Sequence, residues 1–316
     1  MHQSFLKKYS PQYLENFLLK KDIIYFLHTL IESNNINIII NGDCGTGKTT
    51  LIQKLVDLYY NKNVDSVNNI LTINCLREQG IQFYRNDVKI FCQTKSSILN
   101  KKKIIILDDF DNINEQSQQI FRNYLDKYSN NVMFLCSCSN INKINDNFLS
   151  RIFLIKFEKI TYDYLLKILL HIKDAEKLNI ETSVNNILIK LSNNSFRNLI
   201  NNLEKIKLFN NSITKENIYK VCSNINFELY SKYTTAILEK DIGQSIKDIY
   251  KIYEEGYSVI DIFYFYFIYI KQCSTVCEDK KYSILKILCK YIAFINNNYE
   301  DDSELILFSK DLISII

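Results

Sequence analysis

The chain has little glycine, proline and arginine, and it has no tryptophan. Only 6 of its 316 residues are glycine, and proline occurs once. Asparagine, isoleucine, lysine and tyrosine are abundant instead, which indicates an AT-rich genome rather than a function. Because lysine is the usual basic residue here, each arginine is a candidate for a role that only a guanidinium fills well. The arginines are Arg77, Arg85, Arg122, Arg151 and Arg197.

The sequence also lacks the signatures of several kinds of protein. None of its 9 cysteines forms a C-x-x-C pair, so we expect buried thiols without metal, in a reducing intracellular compartment. No signal peptide is visible, and the most apolar stretch, residues 259–270, is too short to span a bilayer. We therefore expect no membrane contact. The net charge of +4 permits contact with nucleic acid without demanding it.

Three of the 6 glycines stand together in the sequence G-D-C-G-T-G-K-T, residues 42–49. An apolar, strand-like run precedes this loop and a helix-like segment follows it, which is the context of a phosphate-binding P-loop. Glycine allows the tight turn that points successive N–H groups at phosphate oxygens. Lys48 would reach the β- and γ-phosphates of ATP, and the Thr49 hydroxyl would hold Mg²⁺. The residues expected to bind nucleotide here are Gly42, Asp43, Cys44, Gly45, Thr46, Gly47, Lys48, Thr49 and Thr50.

A second motif completes the predicted ATP site. The apolar run 104–107 ends in Asp108 and Asp109, which is the pattern of a Walker B strand. A carboxylate at the carboxyl end of a parallel strand lies at the edge where ligands bind. We therefore predict that Asp108 holds the Mg²⁺ together with Thr49.

The apolar runs divide the chain into three parts. In residues 1–160, strand-like runs alternate with helix-like segments, which predicts an α/β domain with a parallel sheet covered on both faces. Residues 161–226 indicate short helices that form a small lid. Residues 227–316 indicate longer helices rich in tyrosine, phenylalanine, isoleucine and leucine, and we expect an all-helical C-terminal domain. The strand-like runs are residues 36–40, 70–73, 104–107, 132–135 and 153–157.

Longer stretches of the chain resemble the small subunits of replication factor C. These are AAA+ ATPases that place a ring-shaped sliding clamp on primed DNA. Residues 8–11, K-Y-S-P, resemble the family's K-Y-R-P, and residues 71–81 resemble L-E-L-N-A-S-D-E-R-G-I. Residues 111–122, D-N-I-N-E-Q-S-Q-Q-I-F-R, follow the family's D-S-M-T-x-x-A-Q-Q-A-L-R without a gap. The resemblance covers residues 6–205, and it implies that residues 227–316 form the helical collar that holds the subunits in a ring.

The resemblance implies roles for further residues near the nucleotide. Tyr9 and Pro11 would lie against the adenine. Asp109 takes the place of a glutamate that polarises the attacking water, and because aspartate is one methylene shorter, hydrolysis is expected to be slow. Ser139 takes the sensor 1 position, where its side chain would bond the γ-phosphate or the water, and Asn140 is a weaker candidate.

Two arginines match catalytic arginines of the family. Arg151, in S-R-I, resembles the arginine of S-R-C, which reaches the ATP of the neighbouring subunit. Such an arginine finger is worth about 10³–10⁵ in rate. The simpler alternative is that Arg151 pairs with a surface carboxylate. Arg197, in N-S-F-R, resembles the sensor 2 arginine of G-D-M-R, which would reach from the lid onto this subunit's own ATP.

The resemblance also implies partners: other clamp-loader subunits in a hetero-pentamer, a PCNA-like sliding clamp and primer-template DNA, in a nuclear or viral replication compartment. We expect the clamp near residues 81–91, where Phe83, Tyr84 and Phe91 either present apolar surface or belong to the core. Contacts to DNA phosphates carry affinity without sequence information. The candidates for these contacts are Arg77, Arg85, Lys89 and Arg122.

Three functions fit these patterns. The leading one is an ATP-hydrolysing clamp-loader subunit. The first alternative is a structural clamp-loader subunit that binds ATP, hydrolyses it poorly and supplies Arg151 to its neighbour. The second is another AAA+ replication ATPase, such as an origin-binding initiator, which would normally end in a winged-helix domain. Residues 228–316 show no convincing pair of strands for such a domain.

Overall fold

The chain forms two compact units, Met1–Ile218 and Tyr219–Ile316. The three-domain division predicted from the sequence, with boundaries near residues 160 and 226, stays a prediction. The computed structural model describes residues 3–61, 64–77, 80–209, 214, 218–222, 227–273, 275–297 and 300–315.

A five-stranded parallel sheet lies at the centre of the first unit. Its strands are β1 (Ile38–Asn41), β2 (Ile70–Asn74), β3 (Lys103–Asp108), β4 (Val132–Cys138) and β5 (Phe153–Lys156). They lie side by side in the order β2-β3-β4-β1-β5, and each neighbouring pair is parallel. Each strand falls on one of the predicted apolar runs, so the expected α/β fold with a parallel sheet is confirmed.

Both faces of the sheet are covered by helices, as the unbroken apolar runs of the strands predict. Successive side chains of a strand point to opposite faces. Ile38 and Ile40 therefore pack into one core with Leu51, whereas Ile39 packs into the other with Phe121. The helices of this unit are α1 (Phe5–Lys8), α2 (Lys21–Glu32), α3 (Lys48–Tyr59), α4 (Ile81–Arg85), α5 (Asp87–Gln93), α6 (Glu115–Lys127), α7 (Asp146–Leu149), α8 (Tyr162–Glu176), α9 (Thr182–Leu191) and α10 (Phe196–Phe209).

The predicted lid corresponds to α8, α9 and α10, which pack on one another within the first unit. Each presents an apolar stripe to its neighbours, with Leu169 of α8, Leu188 of α9 and Leu203 of α10 fully buried. The division between the two units falls, along the chain, within a further short helix, α11 (Ile218–Cys222).

The second unit is built from helices, as the sequence predicts. They enclose one aromatic core in which Phe263, Tyr266 and Phe308 are almost fully buried. Tyr264, between the first two of these, is 54% exposed, so the aromatic run of this segment is buried on one face only. No helix in the described part of the chain is long and apolar enough to cross a membrane. The helices are α12 (Phe227–Leu238), α13 (Ile242–Glu254), α14 (Val259–Gln272), α15 (Glu278–Asn297) and α16 (Ser303–Ile315).

The cysteines divide by burial. Cys136 and Cys138 lie two residues apart on β4 and pack into the same core, as their spacing predicts. The expectation that the thiols are buried holds for six of the nine and is wrong for three, because Cys44 lies in the P-loop and the other two lie on solvent faces of the second unit. These two are Cys277 and Cys289.

Candidate functional site

The P-loop connects β1 to α3, in the predicted order of strand, loop and helix. Gly45 and Gly47 have φ angles of 77° and 100°, a backbone conformation that side chains with a Cβ rarely adopt. Space is restricted as well, since a Cβ atom at Gly45 would lie 2.0 Å from the Ser195 Oγ. The loop that leads into α10 is thus packed against the P-loop backbone, and only glycine fits between them.

Lys48, the first residue of α3, is 7% exposed. Its ammonium donates hydrogen bonds to the carbonyl oxygens of Gly42 and Asp43, at 2.8 and 3.0 Å, and to the Ser139 Oγ at 3.3 Å. All three partners are neutral oxygens, so the positive charge of Lys48 is held in place without being neutralised by them. This arrangement suits an anionic ligand.

Thr49 and Asp108 meet where β3 ends beside α3. The Thr49 hydroxyl donates to both carboxylate oxygens of Asp108, at 2.9 and 3.2 Å. Ser137 also donates to that carboxylate, at 2.5 Å, and its hydroxyl accepts the backbone N–H of Asp109 at 2.9 Å. Hydroxyl and carboxylate oxygens are the ligands that Mg²⁺ prefers, so the side chains expected to hold it are together and of the right chemistry.

Sequence reasoning did not assign a role to Ser137. It is fully buried near the end of β4, and it joins the Asp108 carboxylate to the backbone of Asp109. The sequence does carry a signal for this role, which is a serine near the end of an otherwise apolar strand. Because a buried hydroxyl needs a hydrogen-bond partner, such a serine indicates a polar group beside it.

Asp109 has φ 54° and ψ 50°, in the left-handed region that aspartate tolerates better than most residues. Burial, and then the negative charge of Asp108, raise the pKa of Asp109 above its ordinary value. The charges of Lys48 and Arg197 oppose this rise, so both side chains lie within electrostatic reach of Asp109. A carboxylate with a raised pKa is a stronger base than an ordinary one.

Asp111 is a second residue that sequence reasoning did not assign. It is 8% exposed, and its carboxylate accepts the backbone N–H groups of Ser139 and Asn140, at 3.3 and 3.0 Å. This pair of bonds fixes the chain just beyond β4 and keeps Ser139 beside Lys48. The Asn140 side chain is engaged elsewhere, because it accepts the Asn142 N–H at 3.0 Å.

A cavity of about 640 Å³ lies beside the P-loop, within the first unit. It is bounded by the N-terminal segment, the P-loop, and the helices α8 and α10. The predicted site residues that line it are Tyr9, Pro11, Gly45, Thr46, Gly47, Thr50 and Arg197. The lining also includes Phe17, Tyr164, His171 and Phe196, which the sequence did not single out.

Arg151 does not line this cavity. Its Nε donates to the Asp126 carboxylate at 2.7 Å, and its guanidinium also donates to the backbone carbonyl of Asn147 at 2.8 Å. This is the surface carboxylate pair that the sequence left open as the simpler alternative. Such exposed pairs contribute at most about 1 kcal/mol, so the pair holds Arg151 only loosely.

The candidate DNA contacts lie outside the cavity as well. Arg77, Arg85 and Lys89 are exposed, and Arg122 is half-buried beside Asp126, 3.8 Å from its carboxylate. Their contact with DNA remains a prediction.

The sequence leaves two alternatives for the proposed clamp face at residues 81–91, apolar surface or core. Tyr84 is only 2% exposed, and its ring packs edge-on against Phe121, so this residue belongs to the core. Phe83 and Phe91 pack partly on the same core. The apolar side chain that α5 does expose is Ile90, at 59%.

The fold and the site define a P-loop ATPase of the AAA class. The sequence profile of the ATPase family associated with various cellular activities (AAA) matches residues 38–159. The replication factor C small subunit of Methanococcus vannielii is 30% identical over 254 residues, which are 80% of this chain and 80% of that protein. The chain belongs to the replication factor C small-subunit family.

Other relatives support the same assignment. Replication factor C subunit 2 of Arabidopsis thaliana is 27% identical over 83% of this chain and 78% of that protein. A putative replication factor C small subunit of Acanthamoeba polyphaga mimivirus is 28% identical over 79% of this chain and 76% of that protein. Among solved structures, the Thermotoga maritima RuvB Holliday junction branch migration motor shares the fold, with a TM-score of 0.52 at 12% identity over 74% of this chain and 80% of that one.

Proposed function

We propose that this chain is a clamp-loader subunit that uses ATP to load a ring-shaped sliding clamp onto primer-template DNA. The family supports this assignment, and one observation in the molecule carries it. Thr49, next to Lys48 at the start of α3, bonds Asp108, and the P-loop residues just before them line a cavity that is large enough for a nucleotide.

The ligand of the cavity is ATP with Mg²⁺. The ammonium of Lys48, which has neutral partners, would move to the β- and γ-phosphates. Thr49 and Asp108 would hold the Mg²⁺, which neutralises phosphate charge when it is bound. Tyr9 and Pro11 would contact the adenine at the other end of the cavity.

Hydrolysis depends on residues around the same loop. Asp109 orients the attacking water, and its raised pKa makes the carboxylate a better proton acceptor. Ser139 bonds the γ-phosphate or the water from its position beside Lys48. Arg197 reaches the nucleotide from the lid, and its position on the cavity wall supports this role.

The partners are other subunits of a hetero-pentameric clamp loader, a PCNA-like clamp and primed DNA. Residues 161–226 act as the lid of the ATPase domain 1–160, and residues 227–316 act as the collar. Arg151 leaves Asp126 to reach the ATP of the neighbouring subunit. Relatives in a plant and in a virus are consistent with action in a nuclear or viral replication compartment.

The test is ATP turnover by the purified chain, alone and with its partner subunits, with and without primed DNA and clamp. We expect stimulation by DNA and clamp, and a loss of at least about 100-fold when Lys48→Ala removes the phosphate ligand. Lys205→Ala, which removes a lysine from the exposed surface of α10, is the matched control and should leave turnover unchanged. Absence of any stimulation by DNA and clamp would overturn the clamp-loader assignment.

A second candidate is a subunit that binds ATP, hydrolyses it poorly and donates Arg151 in trans. The short side chain of Asp109 and the surface position of Arg151 favour it. The same assay separates the two functions. If Lys48→Ala leaves the turnover of the complex unchanged while Arg151→Ala lowers it, this second function is the correct one.

A further inference from the structure

Glu176, the last residue of α8, gathers three donors from distant parts of the chain. Its side chain is only 5% exposed. The Lys8 ammonium and the Tyr9 hydroxyl both donate to its Oε1 at 2.6 Å, and the Lys207 ammonium donates to its Oε2 at 2.5 Å. One carboxylate therefore joins the N-terminal segment to both α8 and α10.

The position of this carboxylate is unfavourable without its partners. A negative charge at the C-terminus of a helix opposes the helix dipole, and a carboxylate shielded from water loses solvation. The bonds from Lys207, Lys8 and Tyr9 outweigh this and lower the pKa of Glu176 to about 2. Burial, together with the bond to Glu176, raises the pKa of Tyr9 to about 12. The carboxylate is thus ionised and the phenol is protonated at neutral pH.

Tyr9 is part of the cavity wall as well as part of this cluster. Its ring meets Phe5 and His171 edge-on, with centroid distances of 5.6 and 6.1 Å. Both Tyr9 and His171 line the cavity. The bond to Glu176 fixes the phenol at its hydroxyl end, so the ring presents one defined surface to the cavity.

A second carboxylate fastens the same segment to the lid. Glu204 of α10 accepts the Ser4 hydroxyl at 3.3 Å and the Phe5 backbone N–H at 3.2 Å. The N-terminal segment is therefore held on α8 and α10 at two points. Those are the helices that contribute His171 and Arg197 to the cavity.

We propose that Glu176 is a positioning residue for the base end of the nucleotide cavity, acting through the Tyr9 hydroxyl. This rests on the proposed binding of ATP in that cavity. The bond to Glu176 attaches Tyr9 to the lid helix α8. A nucleotide whose phosphates contact the P-loop and whose base contacts Tyr9 therefore bridges the P-loop and the lid. The contribution of Glu176 is therefore specific to the nucleoside part of the ligand.

The experiment compares two ligands by isothermal titration of the full chain, in the presence of Mg²⁺. ATP fills both ends of the cavity, whereas inorganic tripolyphosphate fills only the phosphate end. We expect Glu176→Gln to weaken ATP binding by about fivefold to tenfold and to leave tripolyphosphate binding unchanged. Glu181→Gln, which removes the same charge from an exposed position just before α9, should change neither affinity.

Tyr9→Phe provides a second variant that removes a single hydroxyl and does not disturb the lysines. It should weaken ATP binding in the same selective way. Because Glu176→Gln acts by weakening the bond that Tyr9→Phe removes, the double variant should bind ATP no more weakly than the weaker-binding single variant. Equal weakening of both ligands by Glu176→Gln and Tyr9→Phe, or no weakening of ATP, would overturn the positioning role alone. A wild-type chain that binds neither ligand would overturn the proposed function, and this inference with it.

Discussion

The buried polar side chains at the nucleotide edge of the first unit and those in the aromatic core of the second unit are used in opposite ways. In the first unit, Lys48, Asp111 and Ser137 are less than a tenth exposed, and they gather where β3, β4 and the P-loop end. Ser137 bonds the Asp108 carboxylate and the backbone N–H of Asp109. Asp111 holds the backbone of Ser139, whose hydroxyl accepts a bond from Lys48. Charge is concentrated there, and the partners of Lys48 do not neutralise it.

In the aromatic core of the second unit, the buried hydroxyl groups pair with one another and with the backbone. The Tyr233 hydroxyl bonds Ser309 at 2.9 Å, and Ser309 donates to the Leu305 carbonyl at 2.8 Å. The Tyr230 hydroxyl donates to the Ile262 carbonyl at 2.8 Å. Each of these bonds ends on a buried group of the same unit.

The two regions differ in whether their buried polar groups serve packing or ligand binding. Within a core, each group must find its partner inside the protein, and a satisfied network fixes one packing arrangement. At a ligand edge, part of the hydrogen-bonding and charge capacity is left for the ligand. Substitutions in the core of the second unit should therefore change stability without changing nucleotide affinity, whereas substitutions at the sheet edge should act mainly on ATP binding or turnover and change stability little.

The largest expected effect on stability is in the aromatic core of the second unit. Phe308 is fully buried against Phe263, Tyr266 and Tyr291. Phe308→Ala should lower the free energy of unfolding by about 3–5 kcal/mol, because it removes apolar contacts and leaves a cavity. Urea unfolding measures the loss, and ATP titration at a temperature where the variant is folded should give the wild-type affinity.

The neighbouring residue supplies the control for that substitution. Leu307 is 46% exposed, so Leu307→Ala should change stability by no more than about 0.5 kcal/mol. A folded Phe308→Ala variant with weakened ATP binding would break the contrast between the two units.

A smaller effect is expected for the paired hydroxyls of the second unit. Tyr233→Phe removes the bond to Ser309, which keeps its bond to the Leu305 carbonyl. The free energy of unfolding should fall by about 1 kcal/mol, the usual contribution of one hydrogen bond. Urea unfolding of Tyr264→Phe, on the exposed face of α14, is the comparison and should match wild type. Equal losses in both variants would contradict a specific role for the Tyr233 bond.

The smallest effect should have the opposite sign, at the ligand edge. The raised pKa of Asp109 means that its ionised carboxylate destabilises the folded state at neutral pH. Asp109→Asn should therefore raise Tm by about 1–2 °C while it lowers ATP turnover. The destabilisation is lost as the pH falls through the raised pKa, so the two Tm values should converge near about pH 3, below the ordinary aspartate pKa.

Scanning calorimetry of Asp163→Asn separates this effect from a general effect of removing negative charge. Asp163 lies in the first turn of α8, where the helix dipole favours a negative charge. Its replacement should not raise Tm. A Tm for Asp109→Asn at or below that of wild type at pH 7 would show that the carboxylate does not strain the fold.

The sheet and the P-loop could be predicted because their signals are local. Each strand is one apolar run, and the P-loop residues Gly42 to Thr49 are adjacent in the chain. The position of the Walker B carboxylate, Asp108, can be predicted because it directly follows an apolar run. Hydrophobic periodicity and sequence motifs are enough to predict these features, because they do not depend on residues distant in the chain.

Features that depend on distant partners could not be predicted in this way. Glu176 meets Lys8 across 168 positions of the chain, and Ser137 meets Asp108 across 29. Lys103 is another example, since lysine side chains are almost never fully buried unless they are paired. The Lys103 side chain is 5% exposed, and its ammonium donates to the Phe91 carbonyl at 3.3 Å, because β3 begins beside the end of α5.

The different exposure of the thiols would allow a native cysteine of the nucleotide loop to be labelled with a dye. Burial raises the pKa of Cys75 and Cys138 to about 12, so both stay protonated and shielded at neutral pH. Cys44 is exposed within the phosphate loop, and Cys277 and Cys289 are exposed in the second unit. A maleimide dye would therefore mark the nucleotide loop without introducing a cysteine there. Replacing Cys277 and Cys289 by serine would leave Cys44 as the accessible thiol among the nine.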